Sequence, residues 1–183
     1  MNRISRAVFK GLCFISISLG FIASAYAQLD QKKYGADYRE EEVVKPWSEG
    51  ETAFPDYPKA SDLIEFYVSA TTQNKFYIDG RTLSVGEDNV VRYTLVIKTQ
   101  GSTSNTSFEG LRCETAEQKL YATGSDPFWR NARVKDWASI RSTGPNAYQR
   151  VLYKEYFCPF GEPIKNNAEG VSALKRGGHP SIR

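Results

Sequence analysis

The sequence predicts an α+β domain: an antiparallel sheet of five or six strands followed by C-terminal helices packed on one face. Three observations predict it. Apolar and polar residues alternate with period two through residues 63–123, the pattern of half-buried strands. The turns between these runs are short, which favours antiparallel neighbours, because parallel pairing needs a crossover of about a dozen residues. After Gly124 the apolar spacing widens to helical intervals, and helices that follow a sheet in this way cover one of its faces.

Residues 1–27 read as a leader. MNRISRAVFK is basic, GLCFISISLGFIAS is uncharged and mostly apolar, and Ala25-Tyr26-Ala27 offers small residues before Gln28. This is the form of a secretory signal cut after Ala27, and it places the rest of the chain in the periplasm. The rival is an uncleaved anchor, for which the uncharged stretch of about 17 residues sits at the low edge of spanning length. Cys13 lies within the apolar run behind Lys10-Gly11-Leu12, which is not a lipobox. The chain holds 24 Lys plus Arg and 21 Asp plus Glu; taking away Arg3, Arg6 and Lys10 leaves 21 of each sign. A neutral mature chain gives overall charge no part in binding nucleic acid or an anionic membrane. Membrane contact is then expected only through the leader, if it is kept.

Residues 28–62 read as an extended arm with few periodic apolar positions and with Pro46, Pro55 and Pro58. The first part is expected to be mobile. Trp47, Phe54 and Tyr57 are expected to pin the later part over an apolar face, with a ligand platform as the alternative. The main domain, 63–165, begins with Ile64, Phe66 and Val68 alternating with polar neighbours. Phe76 and Ile78 repeat the pattern, and Asp79-Gly80 marks a tight turn into a return strand with Leu83 and Val85. Gly86-Glu87-Asp88-Asn89 is a second turn. Val91, Tyr93, Leu95 and Ile97 make the longest strand, and Val96 indicates that its other face is partly covered too. Residues 100–104 form a loop, and Phe108–Cys113 and Gln118–Thr123 are two further strands.

Ser125-Asp126-Pro127 reads as a helix start, with Asp126 as N-cap and Pro127 at the first helical position. Trp129, Arg133, Trp137 and Ile140 would form its stripe. Thr143-Gly144-Pro145 starts a clearer helix whose face holds Tyr148, Val151, Leu152 and Tyr156, ending near Pro159. The remainder, 166–183, reads as a short helix, Asn166–Arg176, stopped by Gly177-Gly178, and a frayed basic tail from His179.

Cys113 falls on a strand and Cys158 at a helix end, and they are the two cysteines left after the leader. In an oxidising compartment they are expected to pair and fasten the helix to the sheet. The loop of about 46 residues is worth ~4 kcal/mol by the chain-entropy model. A redox pair or a zinc site lacks the C-x-x-C spacing or nearby histidine it would need. No nucleophile elbow, zinc-protease helix, P-loop or dinucleotide fingerprint occurs. His179, the single histidine, sits in the tail, where a catalytic base could not be positioned. The sequence therefore implies no catalytic residue, no metal and no cofactor.

Carboxylates remain as chemistry. Glu109, beside Gly110 within a strand, is the best acid for a glycan hydrolase, with a solvent-facing role or pairing to Arg92 or Arg112 as the ordinary alternative. The ligand-contact candidates are Arg92, Glu109, Arg112, Trp129 and Trp137.

The runs Leu83–Gly86, Val90–Val96 and Ser107–Cys113, then Tyr121-Ala122, Trp129, Trp137 and Tyr156-Phe157-Cys158, resemble the cryptic neisserial protein one-like family of proteobacterial envelope proteins. The likeness covers about 80 residues, from Phe76 to Cys158. It implies a Gram-negative, exported, single-domain protein whose two cysteines fall in family motifs, and it brings no reaction, cofactor or catalytic residue. The expected function is a non-catalytic envelope module that binds a protein or glycan. The alternatives are a carboxylate-dependent envelope hydrolase and an anchored structural protein.

Overall fold

The computed structural model describes residues 46–101, 104–134, 136–141, 143–144 and 147–182. The leader, the first part of the arm and Pro145 of the expected helix start lie outside them. The sheet and helices belong to the unit Trp47–Arg183.

Eight strands form one antiparallel sheet: β1 (Leu63–Phe66), β2 (Lys75–Asp79), β3 (Ser84–Val85), β4 (Val90–Lys98), β5 (Ser104–Arg112), β6 (Glu117–Ser125), β7 (Phe128–Asn131) and β8 (Ala138–Ser139). The order is β1-β2-β4-β5-β6-β7, with β3 beside β4 and β8 beside β6. Two helices follow. α1 starts as Ala147–Val151 and winds on as the wider π-turns of Leu152–Phe157, and α2 is Asn167–Arg176. The fold is α+β, as the sequence predicts.

Strand alternation sorts the side chains into two layers. Val91, Tyr93 and Leu95 of β4, with Leu111 and Cys113 along β5, meet Leu152, Tyr156 and Phe157 of α1 and Ala173 and Leu174 of α2 in the main core. The Phe157 ring lies 5.7 Å from that of Tyr93. Each valine, leucine or phenylalanine among them is worth about 1.5–3 kcal/mol on removal from water. On the opposite face Val90, Arg92, Thr94 and Val96 are buried too, because residues 47–57 cross it. Phe54 meets Phe108 edge-on at 6.3 Å, and Tyr57 lies 5.5 Å from Trp129 and donates to Thr106 Oγ1 at 3.1 Å. A Cβ on Gly124 would come within 2.8 Å of the Tyr57 ring, so glycine is what lets the arm lie this close. Phe54 and Tyr57 thus cover an apolar face, as expected for them, while Trp47 lies under the Arg112 guanidinium.

The structure corrects the expected helix over 126–140. Ser125 pairs with Phe128, so Asp126-Pro127, joined by a cis peptide bond, forms the turn of a hairpin. Residues 128–131 then return along β6, and β8 pairs with Glu117 and Gln118. Proline after Asp suits a helix start and a turn alike. The deciding contact is Trp129, whose Nε1 donates to the Pro55 carbonyl at 2.8 Å. A second correction concerns Leu83 and Val85. β3 is not the return strand of β2; both run antiparallel to β4, paired with its two halves. Asp79 Oδ1 accepts from the Arg81 N–H, and the Asn167 amide donates to the carbonyls of Gly80 and Leu83. These bonds fold the connection into a detour that drops Leu83 into the core.

The tail is not frayed. His179 is buried; its backbone N–H donates to Glu155 O at 2.6 Å, and its Nε2 lies 3.1 Å from Glu169 Oε1. Glu169 also stands in the first turn of α2, where its own N–H donates to the capping Asn166. The Lys165 N–H, above burial and His179, sets the Glu169 carboxyl below its usual range.

Cys113 and Cys158 form a disulfide with Cα atoms 5.4 Å apart, joining the end of β5 to the end of α1. We expect Cys113→Ser and Cys158→Ser to lower stability by similar amounts, about 2–4 kcal/mol, read as parallel falls in Tm and yield. Wild-type values for either would make the bridge irrelevant to the fold.

Candidate functional site

The five candidate residues do not form one site. Arg92, Arg112, Trp129 and Trp137 lie where the arm crosses the sheet, and each is engaged there. Arg92 forms a bidentate pair with Asp88: Nη2 donates to Oδ2 at 2.6 Å and Nη1 to Oδ1 at 3.0 Å. Both side chains are almost fully buried. Arg92 Nε donates to Thr52 Oγ1, and the Gly50 N–H donates to Asp88 Oδ2 at 2.7 Å. Burial works to raise the Asp88 pKa, but the Arg92 guanidinium and the Gly50 and Val90 N–H groups outweigh it and hold the carboxyl at about 2. The Arg112 guanidinium stacks 4.0 Å over Trp47 and pairs with Glu117 at 3.5 Å. Trp137 donates to Glu49 Oε2, which also takes Lys119 Nζ at 2.6 Å. Burial of Glu49 is likewise outweighed by these donors, and its carboxyl is lowered. These residues are an arm clamp.

Glu109 stands on the other face. Sequence reasoning offered it as solvent-facing or paired with Arg92 or Arg112. The structure corrects both: its side chain is 2 % exposed and points into the helix side, the face of Leu111 and Cys113. Tyr93, its cross-strand partner, donates to Oε2 at 3.0 Å. Ser107, two residues before it on the same strand face, donates to Oε1 at 2.7 Å. The first turn of α1 supplies the Tyr148 hydroxyl to Oε1 at 3.0 Å and Gln149 Nε2 to Oε2 at 3.2 Å. Gln149 Nε2 also donates to Gln118 Oε1 on β6 at 3.1 Å. Across from Glu109 the pairing of β5 and β6 shifts register, leaving Tyr121 as an extra residue that turns to the arm face over Phe108.

Above this carboxylate, α1, β5, β6 and the end of β4 enclose an open cleft of about 450 Å³. Its walls include Asn105, Gln118, Thr123, Ile97 and Leu120 beside Ser107, Glu109, Tyr148 and Gln149. Among the described residues that line it, Glu109 is the one with a formal charge. Burial, then the Glu109 charge, pushes the Tyr148 and Tyr93 hydroxyls well above the usual tyrosine range, so both act as neutral donors at physiological pH.

Chemically, Glu109 has its oxygens occupied by protein donors and, among the described residues lining the cleft, no second acid stands beside it, whereas glycoside hydrolysis uses two carboxyl groups about 5–10 Å apart. The arrangement suits binding. No group of three or more His, Cys, Asp or Glu among the described residues could hold a metal ion. Sequence reasoning missed Ser107, Gln118, Thr123 and Gln149, since polar residues on strands and helices read as solvent-facing. Tyr93 and Tyr148 were placed on apolar faces, and their hydroxyls gave no sign of a shared partner.

The family model for the CNP1-like family matches residues 42–175, most of the chain, and the chain belongs to that family. Comparison with curated proteins and with solved structures gave no match.

Asp88 is held below its ordinary carboxylate value of 3.8, so its contribution to stability is full above about pH 4 and is lost as the pH falls through about 2. Asp88→Asn leaves Arg92 buried without its partner and should cost about 3–5 kcal/mol at pH 7. In urea melts the gap between variant and wild type should shrink from pH 4 to pH 2; a gap that stays constant would contradict the clamp.

Proposed function

We propose that this CNP1-like protein is an exported, non-catalytic binding module of the cell envelope, and that its ligand site is the cleft over Glu109. The observation that carries the reading is the combination of an open cleft with a buried carboxylate and convergent amide and hydroxyl groups, the usual make-up of a site that orients a polar ligand. The leader pattern supports export, and the Cys113–Cys158 bridge fits an oxidising compartment. The hydrolase reading is not favoured, because the described lining of the cleft supplies one carboxylate where that chemistry uses two. An envelope glycan suits the cleft better than an apolar ligand, because its walls mix side-chain amides and hydroxyls with the apolar side chains of Ile97 and Leu120.

Two measurements test this. The mass of the protein isolated from its native envelope should correspond to an N-terminus at Gln28; retention of residues 1–27 would favour an anchored protein. Incubated with isolated cell-wall sacculi, the isotope-labelled chain should be retained, with amide shift changes centred on Asn105, Ser107, Thr123 and Gln149. Thr123→Trp, which fills the cleft from its exposed rim, should abolish retention. Changes confined to the arm face, or retention unaffected by that substitution, would overturn the assignment.

A further inference from the structure

The bonds around Glu109 point to the class of ligand, an inference that rests on the cleft being the binding site. Its donors, Ser107, Tyr93, Tyr148 and Gln149, are neutral. Such donors solvate a carboxylate without cancelling its charge. The Arg92 and Arg112 guanidinium groups are spent on the opposite face. The described lining of the cleft therefore carries one negative charge at its floor that no cationic side chain of that lining offsets. A neutral ligand gains less from that charge than a cation does, and an anion is repelled. The remaining walls limit what may carry the cation. Asn105, Gln118 and Thr123 present amides and a hydroxyl, and Ile97, Leu120 and the Tyr148 ring present apolar surface. A hydroxylated ring with apolar faces matches both kinds of wall, whereas a lone aliphatic amine would leave the polar rim unused.

We propose that the cleft selects a saccharide bearing a free amine, an amino sugar whose ammonium is attracted to Glu109 and whose hydroxyls meet Asn105, Gln118 and Thr123. The protein is a receptor for de-N-acetylated glycan rather than for glycan in general.

The test uses the full exported chain and three probes: a glucosamine oligosaccharide, its fully N-acetylated counterpart, and a lysine peptide of equal charge. By calorimetry the free-amine saccharide should bind about tenfold more tightly than the acetylated one, the size of one favourable charge attraction across the cleft floor, and more tightly than the peptide. Glu109→Gln should remove the preference for the amine, the two saccharides then binding alike. Thr123→Lys, at the exposed rim, leaves the buried carboxylate and its donors in place and should also cancel the preference, so the proposal stays testable should Glu109→Gln fold poorly. Equal binding of the two saccharides, or a preference that survives Thr123→Lys, overturns the amine selectivity and leaves the cleft assignment standing. Tighter binding of the peptide overturns the saccharide class. Failure of both saccharides to bind overturns this proposal, and if the chain is not retained on sacculi either, the cleft assignment falls with it.

Discussion

A carboxylate buried between a sheet and a helix is the constraint on which the rest of this structure depends. Taking an ionised carboxyl out of water costs several kcal/mol unless hydrogen bonds replace its hydration. Here the replacements for Glu109 come from β4, from β5 and from the first turn of α1. All three elements must be in register together before the cost is met, so the carboxylate selects one arrangement of helix on sheet. The disulfide acts at the other end of the same helix: Cys113 lies four residues beyond Glu109, and Cys158 closes α1. Between those two fixed ends, Leu152 and Tyr156 fill the core. The Tyr153 hydroxyl, donating to Cys113 O, adds a bond beside the bridge.

The opposite face follows from the same sheet. β4 is buried along both sides from Val90 to Val96, which requires a cover that the two helices, already committed to the first face, cannot provide. The arm supplies it with single aromatics rather than a regular element, and polar clamps hold it in place: Asp88 with Arg92, and Glu49 with Lys119 and Trp137. This division puts the polar clamps on one face of the sheet and the cleft on the other. Tryptophans and arginines that look like ligand contacts in a linear reading are used internally, and the cleft is left to modest polar residues.

Much of the fold was legible because alternation is a strong signal where one face is buried. β2, β4, β5 and β6 were each marked by it, and the cysteine count pointed to the bridge. The parity of β5 even carried the placement of Glu109, which shares a face with Leu111 and Cys113; its charge argued for solvent and hid the fact. The hairpin at Asp126-Pro127 was illegible because those two residues satisfy helix-start and turn chemistry equally, and the choice is made by Trp129 reaching the arm carbonyl of Pro55, a contact remote in sequence. His179 was read as tail because its partners, Glu155 and Glu169, lie on helices whose packing only the folded chain defines. Ser107, Gln118 and Gln149 gave no sign at all, since a polar residue that meets another across elements looks like any surface residue.

The coupling between sheet and helix through the Glu109 carboxylate is most directly measured by a double-mutant cycle of stability on Glu109→Gln and Tyr148→Phe. The second substitution keeps the ring that packs 5.7 Å from Phe76 and removes the hydroxyl alone. A coupling of about 1–2 kcal/mol, the double variant being less destabilised than the sum of the singles, is the predicted result. Strict additivity would mean that the two side chains act independently, and would contradict a fold organised around this buried acid.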